Sequence, residues 1–212
     1  MTATSIPNYD FPNSEEATLG TPLVLEGKAY SVESAELSIR MITEVWDGES
    51  SVYLKDPSLL MVFDVYVDDN SGEDGEPAPL INIKLKAPIG APAEFFRSEF
   101  SDAEVSCDAS YGNEAPVLEE NRLTLSGMED GQIGIRWSAR YEEDGRRLPF
   151  LFHGRATFKG LMGSVKKPAD FHATLAKLAP GWAGMRCKIE EKVAFDEPAA
   201  GAERWVDCTI TP

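Results

Sequence analysis

The chain has 212 residues, with 36 acidic against 20 basic side chains and a formal net charge of −16. This charge opposes binding to bare nucleic acid and to anionic membrane surfaces, so the sequence predicts neither partner. A hydrophobic content of 42% is enough for a packed core, and no apolar run approaches the roughly 20 residues of a membrane helix.

Residues 1–20 are predicted to form an irregular N-terminal segment. They show no hydrophobic period, and Pro7 and Pro12 interrupt them. Residues 1–13 lack the basic start and apolar stretch of a signal peptide, so a cytoplasmic location is expected.

A single β-rich domain is predicted over residues 21–212. The segments 23–27 and 123–127 resemble each other, since both read as a short alternating strand that ends in glycine. This weak internal similarity leaves open a duplication with halves at 21–110 and 120–212, although repeats normally need several copies to be convincing.

Alternation of apolar and polar side chains dominates the first half of the domain and predicts half-buried strands. The apolar face of the clearest example holds Leu37, Ile39, Met41, Thr43 and Val45. The run 59–63 is apolar at every position, which is typical of a strand covered on both faces.

A hairpin is predicted around Asp144-Gly145, a favoured two-residue turn. The register centred on this turn matches apolar with apolar and acidic with basic residues. It pairs Trp137 with Phe152, Ala139 with Phe150, Tyr141 with Leu148, Glu142 with Arg147, and Glu143 with Arg146. A slip of one residue would destroy both kinds of match.

A second hairpin is predicted from residues 185–194 and 202–210. The chosen register pairs Cys187 with Cys208, Ile189 with Val206, Lys188 with Asp207, Glu191 with Arg204, and Lys192 with Glu203. Two facing cysteines could form a disulfide, but in a reducing cytoplasm both thiols are expected to be free.

One helix is predicted in the C-terminal third of the chain. It opens at Pro168, carries Phe171, Leu175 and Leu178 on one face, and stops at Pro180-Gly181. Such a short amphipathic helix is expected to pack against the sheet as a lid or plug.

The densest group of oxygen side chains lies in the segment 68–76. Calcium binds six to eight oxygens from a flexible loop, but this segment does not have EF-hand spacing. A solvated acidic loop without metal is therefore the prediction, and calcium binding is the alternative.

No catalytic residue, cofactor or metal is predicted. His153 and His172 have no ligand cluster beside them, and Cys107 has no basic neighbour in sequence. The chain contains neither a Gly-x-Ser-x-Gly nucleophile motif nor a glycine-rich phosphate loop.

The predicted fold is an all-β antiparallel sandwich or flattened barrel of about ten strands with one short helix. The predicted function is that of a non-enzymatic acidic binding protein, which docks like an immunity, inhibitor or accessory protein onto a protein with a basic surface. The residues expected to bind this partner are Asp68, Asp69, Glu73, Asp74, Glu119 and Glu120.

Two alternatives remain open at this point. The chain could be a barrel that binds a small ligand or carbohydrate, with hydrolysis by carboxylates as a further step. The side chains considered for such a pocket are Trp46, Trp137, Trp182 and Trp205. It could also be a structural subunit of a phage or secretion assembly.

Overall fold

A computed structural model describes most of the chain beyond the N-terminal segment. The described ranges are 21–25, 28–46, 51–67, 80–86, 88–110, 117–165, 167–192 and 205–212.

Strands dominate these ranges, with two α-helices and one 3₁₀ turn. The strands are β1 (Thr21–Leu25), β2 (Lys28–Trp46), β3 (Ser51–Val67), β4 (Leu80–Leu85), β5 (Glu99–Ser101), β6 (Val105–Ser110), β7 (Val117–Glu129), β8 (Gln132–Glu143), β9 (Arg146–Val165), β10 (Cys187–Lys192) and β11 (Trp205–Ile210). The helices are α1 (Pro92–Phe95) and α2 (Pro168–Leu178), and the 3₁₀ turn is Pro180–Trp182.

The strands form a closed antiparallel barrel of eight positions, which confirms the predicted all-β fold. The order around the ring is β1-β2-β3-β4-β6-β7-β8-β9, and β5 continues the line of β6 along β7. The ring closes because β1 pairs with β9. Farther along β9, past the end of this pairing, β2 pairs with β9 in parallel. Strands β11 and β10 extend the sheet from the second half of β9.

The predicted alternation along β2 positions the core. Leu37, Ile39 and Met41 are buried, and Arg40 between them is exposed. In the neighbouring run 59–63, Val62 is buried as well as its two neighbours, as expected for a strand covered on both faces.

The first predicted hairpin is confirmed pair by pair. Trp137 lies opposite Phe152 and Tyr141 lies opposite Leu148, and the two acid–base pairs also match. Asp144 and Gly145 both have positive φ, at 48° and 70°, as a tight two-residue hairpin turn requires.

The predicted register of the second hairpin is wrong by two residues. Cys187 lies opposite Ile210, and Cys208 lies opposite Ile189. A shift of two residues leaves every side chain on its face, so apolar alternation could not exclude it. Lys188 faces Thr209 rather than the predicted Asp207, Glu191 faces Val206, and Lys192 faces Trp205. The partners predicted for Glu191 and Lys192, residues 204 and 203, lie outside the described ranges.

Because β11 lies between two strands, its register must satisfy both. On its other side Cys208 pairs with Gly163 of β9, and Ile210 pairs with Leu161. These contacts bury Cys208 and Ile210 completely. Apolar packing against β9 therefore outweighs the exposed charge pairs, which contribute little to stability.

The two ends of the barrel differ. At one end, which we call the turn end, four strands finish and the strands that follow them begin. The connections there run from β1 to β2, from β3 to β4, from β6 to β7 and from β8 to β9. The opposite end carries α1, α2 and the 3₁₀ turn, and we call it the plugged end. None of the helices in the described ranges is long and apolar enough to cross a membrane.

The predicted helix is confirmed as α2 and packs against β3, β9 and β11. Its Phe171 and Leu175 are fully buried. Phe171 lies over Gly163, where an added Cβ would come within 3.2 Å of the ring. The backbone N–H of Ile89 donates to the carbonyl oxygen of Leu178 at 2.9 Å, which ties the helix to the segment before α1.

Candidate functional site

Aromatic side chains fill the described interior of the barrel. Phe63 lies edge-on to Phe152, with ring centroids 4.7 Å apart, and Trp137 lies edge-on to Phe150 at 5.0 Å. All four side chains are buried. This part of the interior is thus a packed core.

Two of the four tryptophans considered for a pocket are core residues. Trp137 lies inside the barrel and Trp182 lies in the plugged end, and both are fully buried. The side chains of Trp46 and Trp205 lie outside what the structure describes.

A buried amide links the core to the surface. Asn121 Nδ2 donates to Asp102 Oδ1 and to the carbonyl oxygen of Leu118, both at 2.7 Å, and Trp137 Nε1 donates to Asn121 Oδ1 at 3.0 Å. Partial burial raises the pKa of Asp102, but the hydrogen bonds from Asn121 outweigh this effect and hold it below its ordinary value. The group serves structure, because each donor has an acceptor within the protein.

Two of the six predicted partner-binding residues lie in the described ranges. Glu119 and Glu120 are exposed near the start of β7, at the turn end. Glu120 forms an ion pair with Arg140, whose Nε lies 3.0 Å from Glu120 Oε2, and it accepts from Arg147 Nη2 at 2.8 Å. Arg147 Nη2 also lies 3.7 Å from Glu119 Oε2. Their charges are therefore partly offset by arginines of the same chain.

A bulge in β7 directs Glu120 toward these arginines. The register with β8 shifts between Glu119 and Arg122, and Glu120 has a φ of 55°, in the left-handed region. Such a backbone costs on the order of 1 kcal/mol for a residue other than glycine. The ion pairs of Glu120 with Arg140 and Arg147 offset part of this backbone cost.

The other four predicted residues, Asp68, Asp69, Glu73 and Asp74, lie outside the described ranges. The chain leaves β3 at Val67 and enters β4 at Leu80, and both residues are at the turn end.

Val117 is the most exposed large apolar residue of the described surface, with 62% of its area accessible. It pairs with Asp108 across β6 and lies two residues from Glu119 on the same face of β7. An apolar side chain with acidic neighbours thus lies at the turn end.

Two of the three cysteines, Cys107 and Cys208, are poor nucleophiles. Burial raises the pKa of Cys107 and of Cys208 to about 12, so both thiols stay protonated at neutral pH. All three cysteines are free in the structure, and Cys187 is diagonal to Cys208 rather than opposite it.

The two histidines lie on separate elements. His153 is on β9, and His172 is on α2, with its ring 5.7 Å from that of Phe171. Within the described part of the chain, no three His, Cys, Asp or Glu side chains converge as a metal site would require.

A groove of about 830 Å³ lies on the outer face of β7, β8 and β9. In one row across the three strands Thr124 pairs with Arg136, which pairs with His153. In the next row Gly134 of β8 pairs with Arg155 of β9, and the Ser126 hydroxyl of β7 lies over Gly134. Because Gly134 has no side chain, the lattice of outward side chains has a hollow there, and the Ser126 hydroxyl lies within it.

This groove was not predicted from the sequence, although half of its geometry follows from the confirmed hairpin. The Asp144-Gly145 register places Arg136 opposite His153 and Gly134 opposite Arg155. The pairing of β7 with β8, which brings the hydroxyls of Thr124 and Ser126 alongside, also has a local signal in the two-residue turn Asp130-Gly131, which was overlooked. A bulge between Leu125 and Met128 then shifts the register by one residue, and this shift has no signal in the sequence.

Burial, and secondarily the nearby Arg136 charge, lowers the pKa of His153 below its ordinary value of 6.5. The unfolded chain then takes up its proton at a higher pH than the folded protein does. We expect the free energy of unfolding to fall as the pH drops below 6.5. His153→Gln should weaken this dependence between about pH 8 and pH 5 in urea titrations. Equal pH dependence of the wild type and the variant would contradict the prediction.

Comparison with known proteins assigns no relative. The chain matches no family model, no curated protein and no solved structure.

Proposed function

We propose that this chain is a non-catalytic binding protein that docks through the turn end of its barrel onto another protein with a basic surface. The observation that carries the proposal is the filled interior around Trp137, combined with a net charge of −16. A barrel whose core is packed can recognise a partner only from outside, and its acidic surface favours a basic one.

The turn end is the part of the surface that best suits such a partner. The sequence between Val67 and Leu80 has five carboxylates and no basic residue. Exposed Val117, beside Asp108 and Glu119, adds an apolar contact of the kind that anchors an interface within a polar rim.

The contributions of the six acidic residues should differ. Glu119 and Glu120 have Arg140 and Arg147 beside them, so removing their charges leaves two arginines that would then repel a basic partner. The carboxylates of segment 68–76 have no basic residue among them in sequence, so they should contribute more of the steering field.

The filled interior gives less support to a barrel that encloses a ligand or sugar. Such barrels keep an internal cavity lined by a few convergent polar groups. Here the buried polar side chain beside the Trp137 indole, Asn121, is fully engaged in hydrogen bonds within the protein.

Neutralising the acidic segment should slow association with the partner. A variant with Asp68→Asn, Asp69→Asn, Glu73→Gln and Asp74→Asn is expected to associate about tenfold more slowly at low salt, with a smaller change in dissociation. The partner is first captured from host extract and identified, and surface plasmon resonance then measures both rate constants at two salt concentrations.

The matched control removes four exposed carboxylates away from the turn end: Glu99→Gln, Asp130→Asn, Asp170→Asn and Glu190→Gln. It changes the net charge equally and should alter the association rate far less. Equal slowing by both variants would contradict docking at the turn end. Turnover of a glycoside or ester by the pure protein would contradict the non-catalytic part of the proposal.

A further inference from the structure

The groove over Gly134 differs chemically from the rest of this acidic protein. Its charged lining consists of Arg136, Arg155 and Glu129, so it carries a net charge of about +1, rising to about +2 when His153 is protonated. Glu129 lies at 3.4 Å from Arg155 Nη2, and both side chains are largely exposed. At physiological ionic strength, charges more than about 8 Å away are largely screened, so this local balance decides which ions bind.

Five of the side chains that line the groove can donate hydrogen bonds, and Glu129 is the carboxylate among the lining residues. The five donors are Thr124, Ser126, Arg136, His153 and Arg155. They stand on three neighbouring strands, which are spaced about 4.8 Å apart, so they approach the hollow from several sides. A planar carboxylate is satisfied by one guanidinium fork, whereas a tetrahedral phosphate offers oxygens to donors on every side.

We propose that the hollow over Gly134 binds the phosphate group of a small phosphorylated molecule. The groove, at about 830 Å³, is far larger than a phosphate ion and is comparable to other small-molecule sites. The organic part of the ligand would lie along the groove, where Met128 supplies an apolar wall. This site is separate from the turn end, so it stands or falls independently of the proposed protein partner.

The first test measures affinity for inorganic phosphate by isothermal titration calorimetry at neutral pH in 150 mM salt. Arg136→Gln and Arg155→Gln should each weaken binding at least tenfold, because each removes charge-assisted hydrogen bonds. Arg186→Gln is the matched control, since Arg186 is exposed on the loop before β10 and changes the net charge equally. Equal weakening by the control, or no saturable binding to the wild type, would overturn the proposal.

The second test blocks the hollow without changing charge. A Cβ at Gly134 would collide with Ser126 Oγ, so Gly134→Leu should fill the site and also weaken phosphate binding at least tenfold. In wild-type protein, saturating phosphate should raise the pKa of His153, which is followed through the imidazole proton in NMR spectra. A pKa of His153 that does not move would overturn the placement of the anion.

Two further ligands define the chemistry. Phenyl phosphate should bind at least as tightly as inorganic phosphate, because its ring can contact Met128. If the ester binds more weakly, the proposal of a phosphorylated molecule is overturned, and the site is one for the free phosphate ion. Succinate should bind at least tenfold more weakly than phosphate, and equal affinity would overturn the preference for a tetrahedral anion.

Discussion

Asn121→Ala is expected to lower the free energy of unfolding by about 3 kcal/mol. Asn121 is 2% exposed, and its amide accepts from the fully buried Trp137 indole while donating to Asp102 and to the carbonyl of Leu118. Alanine would leave the indole N–H without an acceptor in the core. It would also remove the side-chain hydrogen bond to Asp102, which keeps the one from the backbone N–H of residue 121. Urea denaturation measures the change.

The matched control is Asn82→Ala. Asn82 is only half-buried, and its Nδ2 donates to Asp108 Oδ2 at 3.1 Å, so its loss should cost less than about 1 kcal/mol. Trp137→Phe in the Asn121→Ala background supplies a double-mutant cycle. Once the indole N–H is gone, no donor is left without an acceptor. The double variant should therefore lose less free energy of unfolding than the two single variants lose together. Full additivity would contradict the assigned hydrogen bond.

Local turn chemistry explains why one hairpin was predicted correctly and the other was not. Asp144-Gly145 permits a single tight turn, and the packing of Trp137 on Phe152 agrees with it, so two independent signals fix the register. The second hairpin has a long connection between Lys192 and Trp205, which imposes no register. Its pairing depends on β9, a strand that no nearby sequence identifies as a neighbour.

The candidate sites show the same limit. Acidic residues such as Glu119 and Glu120 are visible in the sequence, but the arginines that offset them come from β8 and β9. Arg147 was predicted as the cross-strand partner of Glu142, and the structure places it also beside Glu120. The bulge between Glu119 and Arg122, where Glu120 meets Arg140, leaves no short motif in the sequence.

Trp182→Ala is expected to have the largest effect on stability, about 4 kcal/mol. Trp182 is fully buried, and its ring lies 5.8 Å from that of Phe96 and 6.1 Å from that of Phe158. Its Nε1 donates to the carbonyl oxygen of Gly90 at 2.9 Å, which joins parts of the chain 92 residues apart. Alanine would leave a cavity in the plugged end that neighbours on β9 and α1 can fill only in part.

The close approach of Gly181 to the segment before α1 gives a sharper version of this test. A Cβ at Gly181 would lie 2.5 Å from Ala91 Cα and 2.9 Å from its backbone nitrogen, and a backbone cannot rotate away as a side chain can. Gly181→Ala should therefore push the 3₁₀ turn off α1 and lower the free energy of unfolding by about 2 kcal/mol. Gly184→Ala is the matched control, because nothing lies within 4 Å of its added Cβ, and it should change stability by less than about 0.5 kcal/mol. If both substitutions have the same effect in thermal and urea denaturation, the plugged end is not held by this contact.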